Sequence, residues 1–303
     1  MSLIDLNQSA YASADHNHFK SIQSNDMTFK KILVHIDHSK ATTNRVNAAI
    51  ELALRFQATL AGIFVVPEYA MPSYVEAQIS PAIIADINRH AFTRAREALT
   101  QFIDLANESG LEMFSVVVEG NPVAKLCEYA ALSDLLIVGQ YNNEDSADSS
   151  EGMIDQVIIE SGASCLVWPN RGATRPPGNN ILVTWNSSKE SARAIRQSLP
   201  LLKRAGQVRV LTSDSIDSTK TGRPNLKANI VQYLREHGIQ TTVRSSAARQ
   251  LNIGELILAE ATDMDADLIV MGGYGHSRLR EIILGGATHT LLAETTIPVF
   301  MVH

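Results

Sequence analysis

The chain has 303 residues, of which 45% are hydrophobic and 19% are charged, and its formal net charge is -6. This length and composition predict a soluble globular protein with room for two domains, each with its own core. The negative charge gives no electrostatic reason to expect a nucleic-acid partner, and no run approaches the roughly 18 apolar residues that a membrane span requires.

Residues 1–28 are polar and rich in Ser, Asn, Asp and His, which predicts an N-terminal extension. They lack the basic patch and apolar core of a secretory signal, so we predict a cytoplasmic protein. His16 and His18 stand without further clustered ligands, which favours an exposed tail over a metal site. Cys127 and Cys165 lie in apolar surroundings and outside any metal-ligand spacing, and both are predicted to be small buried hydrophobes.

An internal repeat determines the predicted architecture. Three apolar runs of the first half return in the second: 31–36 as 180–185, 133–139 as 266–272, and 164–169 as 297–302. In each half, the first of these runs is followed by polar residues and then by apolar residues at helical spacing. The repeat therefore predicts two copies of one fold in tandem.

Between these runs the apolar residues recur at helical spacing. The residues that carry the pattern are Ala91, Ala95, Leu99, Phe102 and Leu105 in the first half, and Ile230, Leu234 and the Gly238 stop in the second. Apolar strands that alternate with helices predict a parallel sheet buried on both faces, and right-handed crossovers give a doubly wound α/β domain. The Pro- and Gly-rich residues after 168 predict a linker. We predict a first domain at 29–168, a linker at 169–179 and a second domain at 180–303.

A glycine-rich loop follows the strand predicted at 266–272. Gly272 and Gly275 permit a tight turn whose backbone lies close to a ligand, and Gly285 and Gly286 open a helix. Unpaired amides at such a helix start form an anion site, and open α/β sheets bind ligands at this edge. The pattern predicts a phosphate-binding loop, although it lacks the Gly-Lys-Ser/Thr of a Walker motif. The alternative is that the glycines only shape a turn and that the nearby arginines, Arg278 and Arg280, are solvated.

With these residues the chain resembles the universal stress protein family. The nucleotide-binding members of that family carry Gly-x-x-Gly, nine residues, and then Gly followed by Ser or Thr. Gly272, Gly275 and Gly285 have that spacing, whereas Gly286 stands in the Ser/Thr place. The first strand of the family ends in an acidic residue, and in the second half Asn186 stands there instead. The resemblance covers residues 29–303.

The resemblance implies two tandem doubly wound domains of the adenine nucleotide α-hydrolase type, each a five-stranded, mainly parallel sheet with helices on both faces. It implies a stress-response protein that binds ATP, with Mg²⁺ as its companion, and acts by binding and signalling rather than by turnover. Family domains pair through the last strand, which a tandem chain can satisfy internally; a further homodimer is left open. The implied nucleotide-binding residues are Thr184, Trp185, Asn186, Leu211, Met271, Gly272, Tyr274, Gly275, His276, Gly285, Gly286, Ala287 and Thr288.

The first half keeps only traces of the loop. Gly139, Tyr141 and Gly152 align with Gly272, Tyr274 and Gly285, but the residues between them include Glu144, Asp145, Asp148 and Glu151. Such an acidic loop repels phosphate, so we predict a degenerate copy that binds no nucleotide. Asp37 keeps the acidic residue of the family. We do not expect it to share a site with the second-half loop, because the two positions are predicted on different sheets; His35 and His38 beside it are predicted to be structural.

Two other functions remain open. The changes at Asn186 and Gly286, together with the acidic first-half loop, favour a protein-interaction module that binds no nucleotide. The third function is a slow ATP hydrolase of the wider group that shares this fold. Such enzymes need a Ser-Gly-Gly-type loop after the first strand, and neither 37–40 nor 186–189 supplies it.

Overall fold

The computed structural model describes residues 28–68, 80–141, 152–173, 175–213, 226–246, 253–274 and 286–303. The strands are β1 (Lys31–Ile36), β2 (Thr59–Pro67), β3 (Met113–Gly120), β4 (Leu135–Gly139), β5 (Cys165–Trp168), β6 (Asn180–Trp185), β7 (Gln207–Ser213), β8 (Thr242–Ser246), β9 (Leu268–Gly272) and β10 (Val299–Val302). The helices are α1 (Thr42–Phe56), α2 (Pro81–Glu108), α3 (Pro122–Ala130), α4 (Met153–Glu160), α5 (Lys189–Gln197), α6 (Leu199–Leu202), α7 (Leu226–Glu236), α8 (Ile253–Asp263) and α9 (Gly286–Glu294).

The ten strands form one continuous sheet in the order β3-β2-β1-β4-β5-β10-β9-β6-β7-β8. Within each half every pair of neighbouring strands is parallel. The predicted doubly wound α/β fold, repeated in tandem, is confirmed, and each half contributes five strands. The pairing through the last strands that the resemblance implied is present within the chain, and it merges the two sheets into one.

The two halves join through their last strands, β5 and β10, which are antiparallel with Leu166 opposite Phe300. The pairing therefore reverses the strand direction at the centre of the sheet. As a consequence, the carboxyl ends of the first-half strands and those of the second-half strands lie at opposite edges. Our expectation that Asp37 and the second-half loop belong to different sheets was wrong, but the reversal still keeps them apart.

Alternating strand residues fill two apolar layers, one on each face of the sheet. In β1, Ile32 and Val34 face one layer and Leu33 faces the other. Residues of α1, α2, α5, α6 and α7 belong to the first layer, and residues of α3, α4, α8 and α9 belong to the second. Burial on both faces is what the uninterrupted apolar strands predict.

The helix periods and stops are also confirmed. Ala95, Leu99 and Phe102 are buried on α2, and α7 ends just before Gly238, which has a left-handed φ of 79°. Residues 169–173 and 175–179 contain no helix or strand. Cys165 is buried, but Cys127 is only partly buried at the surface of α3, so its predicted full burial was wrong. The predicted extension lies outside the described residues except for Thr28.

Even the 28-residue helix α2 is not apolar enough to cross a membrane, and the same holds for the other helices that the structure describes.

Candidate functional site

The second-half site lies where β6 and β9 end side by side. Val183 pairs with Val270 between these parallel strands, so their carboxyl ends meet at one edge of the sheet. Asn186 follows β6, and its Oδ1 accepts a hydrogen bond from the Ser188 amide at 3.1 Å. Ser188 then caps α5, because its Oγ accepts from the Ser191 amide at 3.1 Å. The turn thus delivers the start of α5 to the strand ends.

Gly272 closes β9 against that helix start. A Cβ at this position would lie 2.6 Å from the Glu190 carbonyl carbon and nearer still to the Ser191 amide, so a larger residue does not fit. The loop beyond Tyr274 lies outside the described residues, which resume where α9 begins at Gly286. As predicted, a helix opens at this glycine. Two helices therefore begin at the edge where β6 and β9 end.

The structure brings some of the predicted residues to this edge and places others in the core. Thr184, Trp185 and Asn186 end β6, with Thr184 opposite Leu211 on β7. The side chains of Leu211 and Met271 are buried in the second apolar layer. Thr288 is buried on α9. Three of the predicted residues, Gly275, His276 and Gly285, lie outside the described residues, as does the side chain of Ala287.

In the first half the corresponding place is filled by an ion pair. Arg45 is fully buried, and its Nη2 lies 2.9 Å from Asp37 Oδ1. Its Nε donates to the His35 carbonyl at 2.9 Å. Asp37 also accepts hydrogen bonds from the Ser39 amide at 2.9 Å, from Ser39 Oγ at 2.6 Å and from Thr42 Oγ1. Asp37 therefore has its ion-pair and hydrogen-bond partners within the first half.

These contacts set the ionisation of Asp37. Burial by itself raises the pKa of this carboxyl, but the charges of Arg45 and His35 and the hydrogen bonds from Ser39 and Thr42 outweigh burial and hold its pKa well below the usual range. Asp37 is thus a structural carboxylate at neutral pH.

Arg45 also explains Gly139 at the end of β4. A Cβ at 139 would lie 3.1 Å from the Arg45 Cζ and closer to Nη1, so the guanidinium lies directly against this glycine. A side chain at 139 would clash with this guanidinium. The two histidines have structural positions: His35 is buried beside Asp37, and the His38 ring packs edge-on against Phe64 at 4.9 Å. In the described part of the chain, no three His, Cys, Asp or Glu residues are grouped to hold a metal.

Two exchanges between the repeats distinguish the halves, and our sequence analysis missed both. Arg45 stands eight residues after Asp37, and Ala194 stands eight after Asn186. Ala41 stands four after Asp37, and Glu190 stands four after Asn186. The first half thus has a buried cation where the second has alanine, and the second has a buried carboxylate where the first has alanine. Aligning the helices as well as the strands would have found these positions.

First-half residues contact the second half at two places. At the end of β9, the buried Tyr274 has a left-handed φ of 46°, and its hydroxyl donates to Asp155 of α4. Gln140 Nε2 donates to the carbonyls of Leu292 at 2.7 Å and Ala293 at 3.0 Å, in the last turn of α9 and at the sheet edge opposite the candidate site. Tyr274 therefore ties the edge of the candidate site to the first half.

The chain matches the sequence model of the Universal stress protein family over residues 28–142 and 178–303. It belongs to this family. A universal stress protein from Synechocystis is 42% identical over 45 residues, which are 15% of this chain and 16% of that protein. The matched segment thus spans about a sixth of this curated relative.

Solved structures share the fold over most of the chain. A universal stress protein from Archaeoglobus fulgidus superposes with a TM-score of 0.70 and 16% identity, over 90% of this chain and 97% of that one. A protein of unknown function from Pseudomonas aeruginosa has a TM-score of 0.56 and 15% identity, over 90% and 92% of the two chains. This universal stress protein therefore shares the fold of these solved structures over 90% of its length.

Proposed function

We propose that this universal stress protein binds a nucleotide, ATP, at the carboxyl edge of β6 and β9, and that it acts by binding and signalling rather than by turnover. The observation that carries the proposal is the packing of Gly272 against the first turn of α5 where β9 ends, at the edge where α9 also begins on the other face of the sheet. Helix N-termini offer unpaired amides and a favourable dipole to a phosphate group.

The difference between the halves supports one nucleotide per chain. In the first half the crevice between β1 and β4 is taken by Arg45, and the Oδ1 of Asp37 is engaged by Arg45, Ser39 and Thr42. In the second half Ala194 stands at the position of Arg45, so this helix position supplies no guanidinium to the crevice. The first half therefore serves as a support, and ATP binds to the second.

Equilibrium binding of labelled ATP to the purified apo protein tests the proposal. We expect saturable binding to the wild type and loss of binding in Gly275→Asp, since an added carboxylate repels phosphate. Gly110→Asp is the control for an added carboxylate, because it lies in a first-half turn with open space around its Cβ position and Asp is among the residues that best tolerate its left-handed φ of 67°. Absence of saturable binding by the wild type would contradict the proposal.

The second candidate function is a protein-interaction module without nucleotide. Asn186 favours it, since the amide replaces the carboxylate of the family at the end of β6 and its Oδ1 is used by the Ser188 amide. Mass spectrometry of the untreated purified protein separates the two functions. Nucleotide that co-purifies with the protein would exclude this second candidate. A third function, ATP hydrolysis, would require catalytic turnover that a substitution in the loop abolishes.

A further inference from the structure

Glu190 is the unusual residue of the second-half site. Its side chain is 2% exposed, and neither carboxylate oxygen accepts a hydrogen bond from the residues that the structure describes. The charge that lies near it belongs to Lys189, whose Nζ is 3.7 Å from Oε1 and whose side chain is 47% exposed. That separation exceeds hydrogen-bonding distance. A buried carboxylate in this state is costly unless a cation meets it.

The position of Glu190 ties this carboxylate to the site. Its Cβ would lie 2.8 Å from a Cβ at Gly272, so Glu190 lies directly against the glycine that begins the loop. Two more buried polar atoms after β6 and in β7, Ser187 Oγ and Thr212 Oγ1, also lack a hydrogen bond among the described residues. This edge of the sheet thus presents polar groups that the rest of the described chain does not satisfy.

A carboxylate beside a phosphate site creates a conflict of charge. Glu190 repels a bare triphosphate in the same crevice where the helix N-termini attract it. A divalent cation between the two removes the conflict, because Mg²⁺ in proteins is commonly held by one or two carboxylates together with substrate phosphates. The first half shows the same need met internally, since there the buried Asp37 is paired with Arg45.

We infer that Glu190 is the carboxylate that receives the divalent cation of a metal–nucleotide complex, so that the second half binds Mg²⁺–ATP and discriminates against metal-free ATP. The inference rests on the proposed function and adds to it the form of the ligand and the residue that selects it. It also gives the second half a carboxylate four residues after Asn186, where the family's acidic residue is missing.

Calorimetric titration with ATP in Mg²⁺ and in EDTA tests the inference. We expect the wild type to bind about tenfold or more tightly with Mg²⁺, which corresponds to one close charge interaction. Glu190→Gln keeps the shape and removes the charge, so the two affinities should converge to within about twofold, chiefly through tighter binding of metal-free ATP. Glu51→Gln is the matched control, an exposed glutamate on α1 of the first half, and should keep the full metal dependence.

A second measurement protects the test against misfolding of the variant. With Mn²⁺ in place of Mg²⁺, the spin-resonance spectrum of Mn²⁺–ATP should change on binding to the wild type. Glu190→Asp, which retains the charge at a shorter reach, should give a different bound spectrum while preserving the preference for metal. A bound spectrum identical to that of the wild type would place the metal away from residue 190 and overturn the inference.

The outcomes separate this inference from the proposed function. Equal affinity of the wild type for ATP in Mg²⁺ and in EDTA, or an undiminished metal dependence in Glu190→Gln, would overturn the inference and leave nucleotide binding intact. Absence of ATP binding in both buffers would overturn the proposed function, and the inference with it.

Discussion

Arg45 and Asp37 form a buried polar cluster in the first half. Arg45 is fully buried, and its three side-chain contacts, with Asp37, Thr42 and the His35 carbonyl, all lie between 2.9 and 3.1 Å. Removing one member of such a pair leaves an uncompensated charge in the interior. The pair therefore affects stability mainly because loss of one partner leaves the charge of the other buried and unpaired.

We expect Arg45→Ala, which installs the residue found at 194, to lower the free energy of unfolding by about 3–5 kcal/mol. Asp37→Asn added to it should recover part of that loss, because the orphaned charge is gone. Urea unfolding followed by circular dichroism measures both. Arg89→Ala is the control, since Arg89 and Asp86 form an exposed ion pair, and it should change stability by at most about 0.5 kcal/mol. A small effect of Arg45→Ala would show that the cluster tolerates a lone Asp37.

The lowered pKa of Asp37 predicts a pH dependence with a definite sign. In the unfolded chain this carboxyl has a pKa of about 3.9, which is above its pKa in the folded protein. Its contribution to stability is therefore complete above about pH 5 and is lost as the pH falls. The stability difference between the wild type and Asp37→Asn should therefore shrink on acidification, by up to about 1.4 kcal/mol per pH unit. Unfolding measured between pH 3 and 7, a window that includes the unfolded pKa of about 3.9, gives this difference in stability. A difference that grows at low pH would contradict the assignment.

At the scale of elements, first-half residues contact the second half at two places, the end of β9 and the last turn of α9. Tyr274 adopts a left-handed conformation that disfavours residues with a Cβ, and its hydrogen bond to Asp155 holds it there. Gln140 joins the end of β4 to α9 and accepts a hydrogen bond from the Asn170 amide at 2.9 Å. The site thus depends on contacts between elements far apart in sequence.

Tyr274→Phe should therefore loosen the start of the loop. Loss of a hydrogen bond to a charged acceptor costs about 1.5–3 kcal/mol, so we expect faster amide hydrogen exchange at the end of β9 and in α9. ATP affinity should fall in parallel, because Tyr274 stands where the chain leaves β9 at the edge of the candidate site. Tyr233→Phe, on the core-packed face of α7, is the matched control. Unchanged exchange in α9 would mean that the hydroxyl does not hold the loop.

At the scale of the whole molecule, the pairing of β5 and β10 makes one sheet from two. Both strands are fully buried, and their side chains belong to both apolar layers. A half removed from its partner would expose a strand edge of unpaired amides and carbonyls flanked by apolar side chains, which is a template for pairing.

We expect the isolated fragment 178–303 to form a homodimer through β10, because a second copy can offer the same antiparallel edge. Sedimentation velocity of the fragment and of the full chain over a range of concentrations would measure this. The full chain has β10 covered by β5, so its association should not depend on this edge. A fragment that stays monomeric and folded would show that the exposed edge is protected in another way.

Local patterns were sufficient for the elements and for the repeat. Apolar runs such as 31–36 and 180–185 become strands because their side chains are buried on both faces. The glycine at 272 and the helix start at 286 followed from spacing, since each reflects a backbone requirement of a few neighbouring residues. The sequence by itself therefore determined the fold, its duplication and the position of the candidate loop.

Only the tertiary structure decided what fills each site. Arg45 reaches Gly139, Tyr274 reaches Asp155, and Gln140 reaches α9 across distances in sequence that no local period encodes. The burial of Glu190 likewise depends on α5 packing against the end of β9. Whether a buried charge has a partner depends on its neighbours in three dimensions. For this reason only the tertiary structure could indicate that the second half, rather than the first, has a carboxylate for a ligand to neutralise.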